Sequence, residues 1–194
     1  MKELRKAIAK MGRGVGQDIV KVDMFLNHRL DTGLMFAIGQ ELGAYFGKEQ
    51  PNIILTVEAS GIAIALATAH AMGDIPVVFA KKAAAANQGD SMLTAVAHSF
   101  THGNDNVLRV DRRYLPAGSR VLIVDDFLAD GQASQALISI VQQAQCVLAG
   151  VGIAIEKGYQ PGGRRLREAG VNLKSLAVVT GIEDGVIRLA PDDD

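Results

Sequence analysis

Cysteine is nearly absent: the 194 residues hold one, Cys146. No intramolecular disulfide can form. The lone thiol is expected to be buried and inert at the edge of a strand over residues 147–155, not catalytic. Net charge is also lacking, at −1. No overall field draws the chain to nucleic acid or to an acidic membrane, so any anionic ligand must be held by local groups. Long hydrophobic runs are missing too. The longest apolar stretches, near residues 62–69 and 147–155, are too short to span a bilayer. Residues 1–11 mix Lys and Arg with Leu4 and Ile8, unlike a signal peptide. The expectation is a cytoplasmic protein with no membrane and no nucleic acid among its partners. The sequence G-x-x-x-x-G-K-[ST] does not occur, which excludes a P-loop nucleotidase. Nor is there an internal repeat or a linker, so residues 1–194 read as a single domain.

What is present is a core and a rhythm. Hydrophobic residues make up 48% of the chain, enough for one sizeable interior. Leu4, Ile8 and Met11 recur at helical spacing, and Gly12, Gly14 and Gly16 then break the helix. Their spacing is wrong for a dinucleotide fingerprint, and no strand precedes them. Residues 19–26 alternate loosely, as a short strand does. Asp31 or Thr32 caps a helix carrying Leu34, Ile38, Leu42 and Phe46, and Gly47 stops it. A βα pattern follows: strand Ile53–Val57, helix 62–72, strand 76–80, strand 121–124, helix 133–144, strand 147–155. Such alternation implies an α/β fold with a mostly parallel sheet flanked by helices. Residues 81–93 read as a long, flexible loop of the functional kind. Residues 171–179 and the N-terminal segment fall outside this pattern and are expected to pack together as a small hood. Residues 191–194 read as a solvated tail.

The chemistry concentrates at residues 121–134. An apolar strand carries Asp125 and Asp126 to its C-terminal end, where open α/β sheets bind ligands. Ala129, Asp130, Gly131, Gln132 and Ala133 follow, and then a helix. Gly131 permits backbone angles closed to other residues. The helix start offers free N–H groups and the positive end of a dipole. Carboxylates that bind hydroxyls beside a phosphate cradle suit a sugar phosphate. The same acids also fit a Walker B site, a receiver-domain pocket or a plain solvated strand end.

The run Val121-Leu122-Ile123-Val124-Asp125-Asp126-Phe127-Leu128-Ala129-Asp130-Gly131-Gln132-Ala133 resembles the phosphoribosyl pyrophosphate (PRPP) motif of type I phosphoribosyltransferases. Further segments, in order along the chain, are similar to the bacterial xanthine phosphoribosyltransferase family: Lys21 to His28, Glu58-Ala59-Ser60-Gly61-Ile62-Ala63, Pro76 to Lys82, and Ile155-Glu156-Lys157-Gly158-Tyr159-Gln160-Pro161-Gly162. The resemblance implies transfer of phosphoribosyl from PRPP to xanthine with Mg²⁺, in purine salvage, by a homodimer with a hooded parallel sheet. It gives Asp125 and Asp126 the ribose hydroxyls and the charge at the anomeric carbon. Backbone N–H groups of residues 129–133 take the 5′-phosphate. The turn at Glu58, Ser60 and Gly61 suits pyrophosphate, with Lys81 as its cation, and in this family it often carries a strained peptide bond. Val20, Asn27 and Lys157 line the xanthine site. No protein metal site is implied, because Mg²⁺ sits mainly on substrate oxygens. Many relatives carry hydroxyls where this loop has Asp130 and Ala133, which leaves two expectations: Asp130 turns its carboxylate out of the pocket to accept backbone N–H bonds, or the loop leans on its backbone alone.

Other candidates are plainer. His98 and His102 are four apart in a strand-like stretch, a poor arrangement for a metal. Asp111, Arg112 and Arg113 read as a solvated turn or a dimer contact, and Arg164, Arg165 and Arg167 as a solvated basic face. Two functional classes remain: the enzyme, acting on xanthine or else on guanine, hypoxanthine or adenine, and a non-catalytic PRPP or purine sensor of the same fold. Nothing before Lys21 is long enough for the DNA-binding module that a regulator would need.

Overall fold

The chain opens with α1 (Lys2–Met11), the strands β1 (Arg13–Val15) and β2 (Ile19–Lys21), and a wide helical turn at Asp23–Asn27. Then come α2 (Thr32–Phe46), β3 (Ile53–Val57), α3 (Gly61–Ala71), β4 (Val77–Ala80), β5 (Met92–His98), β6 (Asp105–Asp111) and β7 (Arg120–Leu128). The chain ends with α4 (Gln132–Gln143), β8 (Val147–Lys157), α5 (Gly162–Glu168), β9 (Leu173–Glu183) and β10 (Val186–Leu189). The structure, a computed structural model, describes residues 1–82, 91–98 and 105–191.

Six strands form one sheet in the order β10-β9-β8-β7-β3-β4. All neighbours are parallel except β10, which returns antiparallel along β9. The continuous apolar runs have a direct cause. Every residue of β3 is buried. Ile54 of β3 joins Leu122 and Val124 of β7 beneath Ile38, Leu42 and Phe46 of α2 and Ile64 of α3. On the opposite face Leu55, Ile123 and Val151 meet Leu137 and Ile140 of α4. A strand covered by helices on both faces needs apolar side chains at every position.

Two expectations need correction. Residues 19–26 are not one strand. Pairing stops at Lys21, and the turn at Asp23–Asn27 buries both Phe25 and Leu26. Neighbouring residues of a strand point to opposite faces, so a half-exposed strand would leave one of the two outside. Residues 171–179 do not lie outside the sheet. Most of them belong to β9, which runs parallel to β8 from Val151↔Leu173 to Lys157↔Val179. Its crossover helix, α5, has only 7 residues and leaves a weak signal. The chain ends do meet. The Met1 ammonium donates to the Leu176 carbonyl at 3.1 Å, Arg5 Nη2 to that of Ala190 at 2.6 Å, and Gly14 N to that of Gly185 at 2.9 Å.

The β5–β6 hairpin was not foreseen. It joins the end of β4 through a bridge between Lys81 and Arg109. Within the expected loop at 81–93, β5 already begins at Met92, and residues 83–90 lie outside the described residues. The tail at 192–194 and the His98–His102 pair, through His102, fall outside them too.

Helix α3 is seated by α2 at unusually short range. A Cβ on Gly39 would stand 2.5 Å from the Ala67 carbonyl oxygen and 2.7 Å from Thr68 N. Those backbone atoms cannot move without shifting α3. Gly39→Val is therefore expected to destabilise the protein by about 1–3 kcal/mol through overpacking. Thermal unfolding should read this as a fall of roughly 5 °C in Tm.

Candidate active site

The chain leaves β3 towards β4 on one side and β7 towards β8 on the other. The ends of these two adjacent strands splay apart, as they do wherever strand order reverses in an open sheet. The crevice between them is a cleft of about 780 Å³. Asp125 and Asp126, only 5% and 6% exposed, form its floor. Asp126 N donates to Asp125 Oδ1 at 3.0 Å, and Asn27 Nδ2 donates to Asp126 Oδ2 at 3.3 Å. Burial pushes the Asp125 carboxyl well above its ordinary value of 3.8, and the charge of Asp126 adds to the rise.

The loop after β7 forms one wall, lined by Ala129, Asp130, Gln132 and Ala133. Gly131 caps α4 with φ +88°, a left-handed conformation that favours glycine. Its Cα lies against α5: an added Cβ would come within 3.0 Å of Gly162 Cα. Gly162 N in turn donates to the Ala129 carbonyl at 3.1 Å. Asp130 turns on its own loop, with Oδ1 accepting from Gln132 N at 3.1 Å. The Gln132 N–H is thus already engaged, which leaves the cradle to the other N–H groups of the loop and of the first turn of α4.

Glu58 and Ser60 line the opposite wall, and Gly61 starts α3 behind them. The Glu58–Ala59 peptide is cis. Glu58 Oε1 accepts from Lys82 N at 2.7 Å. Of the two neighbouring lysines it is Lys82 that lines the cleft on this side; Lys81, the expected one, is exposed and is not among the lining residues.

Lys157 reaches the cleft from the end of β8. Its Nζ donates to the Asp18 carbonyl at 2.7 Å, and Tyr159 Oη donates to the same oxygen at 3.1 Å. The β1–β2 turn is thereby tied to the rim. Burial draws the Lys157 pKa down, against the charges of Asp18 and Asp130. Val20 behaves differently: it is 8% exposed, packs into the core and is not among the cleft-lining residues.

Several residues escaped sequence reasoning. Arg167 is half-exposed, yet it is paired and not simply solvated. Its Nη1 and Nη2 donate to the buried Glu156 carboxylate at 2.8 and 2.6 Å, and Ser175 Oγ adds a third bond at 2.5 Å. Burial alone would raise the Glu156 pKa, but these bonds outweigh it and hold the pKa below its ordinary value. Arg165 lines the cleft beside the phosphate loop. Cys146 is half-buried, with Sγ 3.2 Å from the Pro116 carbonyl, and burial raises its pKa, as suits an unreactive thiol. The Gly162-Gly163 pair was in plain view in the sequence, but its function depends on a packing contact that no local pattern encodes.

A buried acid pair beside a glycine-capped helix start, at the switch point of a parallel sheet, is what a sugar-phosphate transferase requires. Residues 22–170 match the phosphoribosyl transferase domain, and the chain belongs to that family. More narrowly, it falls among the xanthine phosphoribosyltransferases. It is 45% identical over 193 residues to xanthine phosphoribosyltransferase of Lacticaseibacillus casei (strain BL23), covering 100% of both chains. It is 44% identical over 188 residues to that of Geobacillus thermodenitrificans (strain NG80-2), covering 97% of this chain and 96% of the relative. Among solved structures, adenine phosphoribosyltransferase from Rhodothermus marinus DSM 4252 superposes with a TM-score of 0.73 at 20% identity, covering 92% of this chain and 100% of that one. The enzyme from Leishmania tarentolae also gives 0.73, at 18% identity, covering 90% and 87%. At such identities the likeness concerns the fold alone.

Two outcomes follow from this geometry. A raised Asp125 pKa means that the native state keeps a proton that the unfolded chain releases above about pH 4, so stability falls as pH rises from there. Asp125→Asn is expected to raise Tm near pH 7 and to lose that advantage below about pH 4, where the parent is protonated in both states. A series of Tm against pH reads this directly. Second, a Cβ on Gly162 would lie 2.5 Å from the Ala129 carbonyl oxygen and 2.6 Å from Gly131 N. Gly162→Ala must displace the phosphate loop, and calorimetry should find PRPP affinity down about tenfold, equivalent to ~1.4 kcal/mol.

Proposed function

We propose that this enzyme transfers the phosphoribosyl group of PRPP to xanthine, giving xanthosine 5′-monophosphate and pyrophosphate in purine salvage. The observation that carries the reading is the Asp125–Asp126 floor, set between the glycine-containing loop after β7 on one side and the turn at Glu58 and Ser60 on the other. A PRPP molecule has its groups in that order: 5′-phosphate, ribose hydroxyls, pyrophosphate. The bond from C1′ to the pyrophosphate oxygen breaks, N9 of xanthine bonds to C1′, and the base proton passes to solvent. Asp125 and Asp126 accept from the ribose hydroxyls and oppose the positive charge that develops at C1′. N–H groups of the loop at Ala129, Gly131 and Ala133 hold the 5′-phosphate, with Asp130 bracing the loop. The turn at Glu58, Ser60 and Gly61 faces the pyrophosphate, with Lys82, which lines this side of the cleft, in the role expected of Lys81.

Mg²⁺ fits this site. The charged groups on the floor are hard carboxylate oxygens, and burial together with their mutual repulsion favours a cation opposite them. Held mainly by substrate oxygens, Mg²⁺ would neutralise the departing pyrophosphate. The protein is further proposed to be a cytoplasmic homodimer, which light scattering on the purified chain tests.

For the base, Lys157 supplies donors and no acceptor. One donor is committed to the Asp18 carbonyl, and the others suit the C2 carbonyl of xanthine. Asn27, which donates to Asp126, joins the base to the ribose floor, while Val20 packs in the core and serves the pocket only indirectly. Lys157→Ala is expected to raise the Michaelis constant for xanthine about tenfold or more while that for PRPP stays within about twofold. Because Asn27 bonds an acid of the sugar site, Asn27→Ala should raise both constants. Steady-state kinetics with both substrates varied, and guanine and hypoxanthine as competitors, decide it. An unchanged xanthine constant in Lys157→Ala would move the base pocket elsewhere.

A further inference from the structure

Thr56 is completely buried near the end of β3. Its Oγ1 is the one buried side-chain oxygen or nitrogen among the described residues with no hydrogen-bond partner. An unpaired buried hydroxyl costs stability, and valine would fill the same space without that cost. The other fully buried threonine shows the usual remedy: Thr68 Oγ1 donates to the Ile64 carbonyl one helical turn back, at 2.9 Å. A strand offers no such carbonyl.

Gly61 shows what the hydroxyl faces. A Cβ on Gly61 would overlap Thr56 Oγ1 and would stand 2.7 Å from Asp125 Oδ1. The hydroxyl and the carboxylate therefore flank the same Cα, at the ends of adjacent parallel strands. Asp125 Oδ1 accepts from Asp126 N at 3.0 Å, and a carboxylate oxygen has room for a second donor.

We propose that Thr56 is a positioning residue for phosphoribosyl transfer: its hydroxyl stays unpaired in the free protein and donates to the Asp125 carboxylate once the ribose hydroxyls draw that carboxylate into place. The inference rests on the reading of Asp125 as an acid of the ribose site. A bond made only in the substrate complex stabilises that complex and the transition state without stabilising the free fold. It also accounts for a hydroxyl where packing alone would favour valine.

Thr56→Val, Thr56→Ser, Asp125→Asn and the double variant Thr56→Val/Asp125→Asn test it, each by thermal unfolding and by kinetics with both substrates varied. Thr56→Val is expected to raise Tm of the free protein by a few degrees. Its kcat should fall about tenfold while the Michaelis constant for xanthine holds. Thr56→Ser should return kcat to within about twofold of the parent. In the Asp125→Asn background, where the acceptor has lost its charge, Thr56→Val should cost clearly less than in the parent, since a residue that acts through another loses effect when that other is weakened. A parent-like kcat in Thr56→Val, a lowered Tm, or an additive loss in the double variant would each overturn the proposal. If Asp125→Asn itself keeps the parent rate, the ribose-site reading fails first and takes this inference with it.

Discussion

The ladder between β3 and β7 pairs Ile53 with Val121, Ile54 with Leu122 and Leu55 with Ile123. These few parallel pairs hold side by side two strands that the chain then carries in opposite directions. Everything chemical sits where they part. Each strand feeds a helix, α3 or α4, whose first N–H groups lack partners within the helix. Because the strands are parallel, both helix starts face the same crevice. A one-residue slip in this register would turn Asp125 and Asp126 to the wrong faces of the sheet, so the apolar residues beneath them determine the site as firmly as the acids do.

Two buried carboxylates at this sheet edge show what such a constraint involves. Glu156 and Asp125 are almost equally hidden, at 3% and 5% exposure. Glu156 is surrounded by Arg167 and Ser175, and its pKa goes down. Burial pushes the Asp125 pKa up, and the second acid beside it adds to the rise. The first arrangement is satisfied by the protein itself and serves as structure: it anchors α5, whose Gly162 props the phosphate loop. The second has a backbone donor in Asp126 N but a like charge beside it, and on the reading proposed above a hydroxyl-rich, cation-carrying substrate complements it. Perturbed acids of the second kind are where function concentrates.

The fold was legible because its strands are covered on both faces. Residues 53–57, 121–124 and 147–155 read as strands since no charged residue interrupts them, and helix α2 read correctly to its cap: Asp31 Oδ1 accepts from Leu34 N at 3.1 Å. The elements that escaped lack such signatures. The β5–β6 hairpin pairs outside the main sheet and carries mixed faces. The cleft was legible wherever a residue type implies its own geometry: Asp125, Asp126 and Lys157 line it, and Gly131 takes a left-handed φ ahead of α4. It was illegible wherever a role comes from a neighbour distant in sequence. Lys82 and Lys81 are equivalent in composition, and only the strand end decides which of them faces the cleft. Arg167 looked like one of a solvated cluster because its partner Glu156 lies on another element.

Base choice must come from the same kind of long-range contact. Adenine phosphoribosyltransferases share this sheet at about one-fifth identity, so the sheet cannot be what selects the base. On the reading proposed above, the selection lies at the rim, where the Asp18 carbonyl accepts from Lys157 and Tyr159 together. One carbonyl has two lone pairs, and both are used. That shared acceptor holds the Lys157 ammonium at a defined point over the cleft, with its remaining donors directed to whatever enters. A donor-only group so placed favours the C2 carbonyl of xanthine over guanine, whose C2 amino group has a donor where the lysine needs an acceptor, and over adenine, which has only a C–H there. The β1–β2 turn, which carries Asp18, thus bears on base choice through a main-chain atom. A side-chain change at Asp18 leaves that carbonyl in place, so no motif built from residue types would have revealed it.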